Sequence, residues 1–212
     1  GDQAEAAFHS ELKLPLAGSR DAGNGSLYHV GSQGSYWSSS VSGSHDFALS
    51  RFLNFSRQSA LMTNQVRGRG QSVRLIVEGS FTLPQYTSAY QGKTIRYLGL
   101  TYGFCYNATT GRIWLDRNLG AIQVATALND NNSYGDLYQW GRDADGHQVR
   151  ASNDHTTQSS MSETIGVGEG KFILTNTSPY DWSSKQDNSL WSETQYEDSW
   201  TTTGALSDMH RS

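Results

Sequence analysis

The chain has little cysteine and no long apolar run. Cys105 is the single cysteine among 212 residues, so neither a disulfide within the chain nor a multi-cysteine zinc site can form. No stretch approaches the ~18 to 20 consecutive apolar residues that a membrane-spanning helix requires. Stability must therefore come from the packing of side chains.

An excess of basic residues is also lacking, since the formal net charge is -4 and the pI is near 5.8. Nucleic acid is therefore not an expected partner on the grounds of bulk electrostatics. Three arginines do cluster, at Arg67, Arg69 and Arg74. In an acidic protein we expect them to act in local salt bridges or as local ligand groups.

The chain is rich in aromatic and turn-forming residues. Six tryptophans, eleven tyrosines and seven phenylalanines supply a large apolar area, and the 22 glycines predict frequent turns and few long helices. The length fits one domain or two small ones. The composition indicates an irregular, loop-rich domain that contains β-strands.

Local patterns predict several elements. Asn24-Gly25 is a tight-turn signal, because both residues tolerate positive φ. Residues 36–41 are a strand candidate, and the alternation of polar and apolar residues over 71–78 predicts another strand. The two bracket residues 42–70, a stretch without a sustained period. Further along, the pattern predicts β-rich segments at 81–86 and 94–103, a hairpin turn at 107–112 and a short helical turn within 134–142.

Several strings resemble one known family. The second half holds Ile113-Trp114-Leu115-Asp116-Arg117-Asn118-Leu119-Gly120-Ala121 and Tyr134-Gly135-Asp136-Leu137-Tyr138-Gln139-Trp140-Gly141-Arg142. The first half holds Tyr36-Trp37-Ser38-Ser39-Ser40 and Ser72-Val73-Arg74-Leu75-Ile76. Together they resemble the Fibrobacter succinogenes major paralogous domain, which is similar in turn to the C-type-lectin-like variable proteins diversified by retroelements.

The two halves stand in reversed order, because in the family the Trp-Leu-Asp-Arg-Asn-Leu-Gly half comes first. The resemblance divides the chain into a C-terminal-type half of a C-type-lectin-like domain at 1–78, a β-rich connector at 79–110, an N-terminal-type half at 111–200 and a flexible tail at 201–212. Circular permutation, a slice through tandem domains and subunits that exchange halves all account for this order. Completion within one chain and completion between chains are equally expected.

The resemblance implies an irregular α+β fold of the C-type-lectin-like type, shared with formylglycine-generating enzymes, that is loop-rich with short antiparallel strands and few short helices. It also implies a substitutable contact surface at residues 44–71. Independently of the resemblance, strands that fix the backbone let side chains between them change without unfolding the domain. The candidate ligand-binding residues are His45, Asp46, Phe47, Leu49, Ser50, Arg51, Leu53, Asn54, Arg57 and Gln65.

Other aromatic residues divide between core and surface. Five are expected in the core: Trp37, Phe52, Phe55, Trp114 and Trp140. Three tryptophans that stand among polar residues are the expected stacking platforms for a glycan ligand: Trp182, Trp191 and Trp200.

Neither a metal site nor a catalytic set is predicted. Asp143-Ala144-Asp145-Gly146 resembles the opening of a calcium loop but lacks the later ligands, so an Asx-rich turn is favoured and calcium is the one cofactor considered. Cys105 does not reproduce the active-site cysteines of formylglycine-generating enzymes, and His147 fits a structural turn. We therefore expect no enzymatic activity.

These features predict a non-enzymatic adhesion or receptor-binding protein outside the cell, at a cell surface or on a virion, that binds a protein or glycan on another cell. The alternative is a structural subunit of an extracellular filament or phage fibre, in which neighbouring chains complete each other's domains. Both functions predict a homo-oligomer or polymer, and neither requires nucleic acid or a membrane span.

Overall fold

The computed structural model describes residues 1–42, 48–153, 155–157, 170–184 and 186–191, with the backbone of 209–211. This part of the chain is β-rich and loop-rich, in agreement with the irregular α+β class. Its two helices are α1 (Gln3–His9) and α2 (Leu83–Ala89). Its strands are β1 (Ser19–Arg20), β2 (Leu27–Tyr28), β3 (Gly34–Val41), β4 (Leu49–Phe55), β5 (Ala60–Val66), β6 (Gly70–Gln71), β7 (Leu75–Val77), β8 (Thr94–Tyr97), β9 (Leu100–Asn107), β10 (Arg112–Leu115), β11 (Tyr138–Gln139), β12 (His155–Thr157), β13 (Phe172–Leu174) and β14 (Met209–Arg211).

The described strands form four sheets. The largest has the order β14-β7-β10-β9-β8, a second has the order β3-β4-β5, and a third has the order β11-β6-β1-β2. Strands β12 and β13 form a small parallel pair. The predicted turn at Asn24-Gly25 is confirmed between β1 and β2, where Gly25 has a φ of 72° and its N–H donates to the carbonyl of Asp21.

The two blocks of the family resemblance pack against each other within one chain. Strand β7 of the first block pairs antiparallel with β10 of the second, which places Ile113 opposite Val77. Beyond the strands, the N–H of Leu119 donates to the carbonyl of Val73 at 3.0 Å. One hydrophobic cluster takes Trp37 from the first block and Trp140 from the second. Each block therefore finds its partner strand in the same chain.

A second hydrophobic cluster lies beneath α1. Ala4 of α1 packs there with Leu14, Leu16, Tyr36 and Phe55. The helix begins after Asp2, whose carboxylate accepts a hydrogen bond from the N–H of Glu5. This cluster fixes the 12–16 segment against strands β3 and β4.

The clustered arginines make local contacts, as expected. Arg69 forms an ion pair with Asp21 at 3.1 Å. Arg67 is buried, with its guanidinium 3.8 Å from the carboxylate of Asp181 and 4.4 Å from the ring centre of Trp140. Such partners offset the free-energy cost of placing a charge away from water.

Two predicted elements are wrong in type. Residues 81–86 were predicted as β-rich, but α2 begins there, because the side chains and backbones of Thr82 and Gln85 form a capping box. Within 134–142 the structure has strand β11 instead of a helical turn. The predicted hairpin turn at 107–112 is confirmed between β9 and β10.

The expected core aromatics are largely confirmed, since Trp37, Trp140, Phe52 and Phe55 are buried and Trp114 is half-buried. The surface assignment of Trp182 and Trp191 is wrong. Both are buried, at 4% and 3% exposed, and the Trp182 indole N–H donates to the carbonyl of Trp140. Buried rings cannot stack on a glycan. Trp200 lies outside the described residues.

Two further features bear on the predictions. No helix among the described residues is long and apolar enough to cross a membrane. Cys105 is a half-buried free thiol on β9, with its Sγ 3.6 Å from the carbonyl oxygen of Leu115.

Candidate ligand-binding surface

Most of the predicted contact stretch forms a β-hairpin. Strands β4 and β5 pair without interruption, from Leu49 opposite Val66 to Phe55 opposite Ala60. The turn between them closes where the N–H of Ser56 donates to the carbonyl of Ser59 at 2.8 Å. The backbone of this region is therefore fixed by its own ladder of hydrogen bonds.

The two faces of the three-stranded sheet β3-β4-β5 have different neighbours. Directly opposite residues share a face, so Tyr36, Leu53 and Met62 lie on one face, which we call the pocket face. Trp37, Phe52 and Thr63 lie on the other. The pocket face holds the cavity that is the candidate site.

An apolar pocket of about 240 Å³ opens on the pocket face. Its walls come from four separate parts of the chain: the 12–14 segment, the sheet β3-β4-β5, Arg74 just before β7, and Trp114 of β10. The lining residues are Leu12, Leu14, Tyr36, Trp37, Ser38, Leu53, Met62, Arg74 and Trp114. Both family-like blocks thus contribute to one cavity.

Two polar groups in the pocket wall are already engaged by the protein. The hydroxyl of Tyr36 donates to the carbonyl of Pro15 and accepts from the Asn118 amide, and burial raises its pKa to about 12. The Arg74 guanidinium donates to the Asn118 side-chain oxygen and to the carbonyl of Leu12, while burial lowers its pKa. With these groups occupied, the pocket offers mainly apolar surface.

Two of the predicted contact residues lie on the pocket face together. Leu53 lines the pocket and is half-buried. Arg51 is exposed and precedes Leu53 by two residues on β4, which places both side chains on one face. Met62, 47% exposed, lies opposite Leu53 and was not among the predicted residues. No alternation of polar and apolar residues within 60–66 marks it in the sequence, since Leu61 and Met62 are adjacent.

Three other predicted contact residues are buried or half-buried and are hydrogen-bonded within the protein. Ser50 has to be removed from the contact surface, because it is completely buried and its hydroxyl accepts a hydrogen bond from Arg67 Nε at 3.0 Å. Asn54 is half-buried and donates weakly to Ser35 Oγ at 3.3 Å. Gln65 is half-buried, with its side-chain oxygen bonded to the N–H of Val66.

The remaining predicted residues are separated from the pocket or not described. Arg57 is exposed at the β4–β5 turn and pairs with the carboxylate of Asp2 at 2.6 Å. Leu49 is half-buried at the start of β4. His45, Asp46 and Phe47 lie outside the described residues. The structure therefore divides the predicted set instead of collecting it into one surface.

In the calcium-like string at residues 143–146, the carboxylate of Asp145 is already bound by neighbouring side chains. Arg142 donates to one oxygen of the Asp145 carboxylate at 2.6 Å, and His147 Nδ1 lies 2.7 Å from the other. Burial alone would raise the pKa of Asp145, but the His147 hydrogen bond and the Arg142 charge lower it to about 2. Among the described residues, no group of three or more His, Cys, Asp and Glu side chains has metal-ligand geometry.

Comparisons with protein-family models, with curated proteins and with solved structures find no match to this chain. The functional interpretation therefore depends on the geometry of the pocket and on the residues that surround it.

Proposed function

We propose that the chain is a binding module of an extracellular adhesion or receptor-binding protein, built on a C-type-lectin-like scaffold, and that it acts without catalysis. One observation carries the proposal. An apolar pocket of about 240 Å³ is lined by exposed Met62 and opens on the same sheet face as exposed Arg51, on a hairpin whose other face packs into the core.

The hairpin is suited to presenting side chains to a ligand. Phe52 and Phe55 anchor it to two different hydrophobic clusters, so its backbone position does not depend on Arg51 or Met62. Exposed residues on such a support can be exchanged with little effect on folding. This is the property that the family resemblance implies for residues 44–71.

The lining of the pocket favours a protein ligand over a glycan. An apolar cavity on the same sheet face as an exposed arginine matches an aliphatic or aromatic side chain with an acidic group near it, and arginine is enriched at the centres of protein interfaces. A sugar would leave most of its hydroxyl groups without partners against this wall, and each such group costs free energy.

The alternative function, a fibre subunit completed by its neighbours, receives no support from the strand pairing. Strands β7 and β10 pair with each other within one chain, so neither requires a donated strand from a second chain. The strand pairing therefore favours the binding function over the fibre subunit.

Binding to arrayed cell-surface proteins and glycans tests the proposal, with the full chain labelled at its amino terminus. The double variant Arg51→Ala, Met62→Ala should weaken binding to protein targets by about tenfold or more, because Met62 lines the pocket and Arg51 is exposed on the same sheet face, and should leave the unfolding temperature unchanged. The matched control is Arg96→Ala, Leu98→Ala, which removes an exposed arginine and an exposed leucine on the β8–β9 hairpin. Absence of any specific binding, or equal losses in both double variants, would refute the proposal.

A further inference from the structure

Among the residues that the structure describes, strand β5 is an edge strand with no strand on its outer side. It is the last strand in the order β3-β4-β5 and pairs with β4 along all seven residues. Apart from that ladder, residues 60–65 make no main-chain hydrogen bond with any other part of the chain that the structure describes. Leu61 and Met62 are 46% and 47% exposed.

This edge lacks the features that usually prevent pairing with another chain. The sequence Ala60-Leu61-Met62-Thr63-Asn64-Gln65-Val66 contains no charge and no proline, and its register with β4 shows no bulge. Strand β8, at the edge of the five-stranded sheet, is shorter than β5 and carries a charge. It has four residues, one of which is Arg96. A long uncharged edge is a template for strand addition.

We propose that two copies of the chain associate through β5, antiparallel, about a two-fold axis at Thr63. This centre is the one that pairs all seven residues, with Ala60 opposite the partner's Val66 and Met62 opposite the partner's Asn64. The result is a continuous six-stranded sheet, and Leu61 and Met62 become partly covered. An isologous pair of this kind is the commonest form of homo-oligomer.

The charges favour a second copy as the occupant. No charged side chain lies on β5, so no like charges meet across the axis. Arg51, on β4, lies opposite Asn64 and is an exposed arginine on the pocket face. Three strand spacings separate it from the partner's Arg51, about 14 Å, which exceeds the screening length of about 8 Å at physiological salt.

The pairing has a consequence for binding. A two-fold axis perpendicular to the sheet preserves its faces, so both apolar pockets open on the same side. Two pockets on one rigid sheet can engage two sites on one surface, and the second contact is then intramolecular. The dimer is therefore a bivalent form of the binding module.

Sedimentation velocity of the full chain, from about 1 to about 300 µM, tests the association. The wild type should shift from monomer to dimer as concentration rises. Thr63→Lys and Thr63→Glu should each weaken dimerisation by about tenfold or more, because like charges then face each other at the axis. An equimolar mixture of the two variants should restore the dimer, since opposite charges then meet.

The matched control is Thr94→Lys, the same change on the exposed edge strand β8, which should leave the dimer unaffected. Hydrogen exchange of the wild type gives a second measurement that needs no variant: protection of the amides of residues 60–66 should increase with concentration, while that of 94–97 stays constant. A monomer over the whole range, or an equimolar mixture that remains monomeric although both variants are folded, overturns the proposal. If the wild-type chain dimerises but binds nothing on the array of proteins and glycans, the proposed binding function is refuted and the proposed dimer is not.

Discussion

At the scale of single residues, Asn118 joins the parts of the molecule that form the pocket. Its side-chain oxygen accepts two hydrogen bonds from Arg74, and its amide donates to Tyr36 and to the carbonyl of Tyr134 at 3.1 Å each. The residue is completely buried. One amide thus satisfies a buried cation and a buried hydroxyl from the other half of the chain.

Replacement of Asn118 with alanine should destabilise the protein by about 3 kcal/mol, because the Arg74 guanidinium and the Tyr36 hydroxyl lose partners that water cannot replace. Urea unfolding measures the change. Asn64→Ala, on the exposed edge strand, should alter stability by less than about 0.5 kcal/mol. Similar values for the two variants would show that the Asn118 network contributes nothing specific.

Asp136 introduces a dependence of stability on pH. It is half-buried, and burial raises its pKa to about 6 although Arg150 acts in the opposite direction. In the unfolded chain an aspartate titrates near pH ~3.9. Between these values the folded state keeps a proton that the unfolded state has released, so the free energy of unfolding falls as pH rises through this window.

Asp136→Asn should therefore reduce the fall in stability between pH ~4 and pH ~6 by about 2 kcal/mol, because a carboxamide does not titrate. Burial also raises the pKa of Asp181 to about 6, so part of the fall remains in the variant. Urea unfolding at unit intervals of pH measures this. Asp145, with a pKa lowered to about 2, acts in the opposite sense and below this window, so it does not obscure the result. Identical slopes for the variant and the wild type would contradict the prediction.

At the scale of elements, α2 shows how a local signal was missed. The aromatic and β-branched residues around Phe81 favoured a strand, but Thr82 and Gln85 have the spacing of a capping box, and Pro84 lies in the first turn. Thr82 and Gln85 supply hydrogen-bond acceptors for backbone N–H groups at the start of a helix, and a strand has no need of them. The three-residue spacing of Thr82 and Gln85 is visible in the sequence. It is better evidence for a helix at this position than the aromatic and β-branched composition is for a strand.

Thr82→Ala should destabilise α2 by about 1 kcal/mol, since the Gln85 N–H loses its acceptor. Hydrogen exchange of the Tyr86 and Tyr90 amides, which both bond within this helix, would measure the loss locally. Thr87→Ala, at an exposed position in the middle of the helix, should instead leave protection equal or higher, because alanine has the greater helix propensity. The opposite ranking would contradict the capping assignment.

The hairpin β4–β5 was harder to predict, for a physical reason. Phe52 and Phe55 are three residues apart on one strand, so they point to opposite faces, and each is buried in a different cluster. A strand that is partly buried on both faces loses the alternation of polar and apolar residues. The stretch therefore showed no sustained period, and its exposed and buried candidates could not be separated before the structure.

At the scale of the whole molecule, the fold class and the short turns were predictable, because they follow from composition and from local residue preferences. The pocket was not. Its walls come from residues 12–14, from the sheet β3-β4-β5, from Arg74 and from Trp114. No local sequence pattern indicates which distant segments of a chain come into contact. The order of the two blocks likewise left open whether β7 and β10 pair within one chain, which the register of Ile113 with Val77 now answers.

The placement of Cys105 has a consequence for where such a molecule can work. Burial raises the pKa of this thiol to about 11, so at neutral pH it is protonated and reacts slowly with oxidants and with other thiols. A chain of this kind tolerates oxidising and reducing surroundings alike. Cys105 lies on β9, in a different sheet from β5, so the association that we propose through β5 should be reversed by dilution and should not depend on the redox state of the medium.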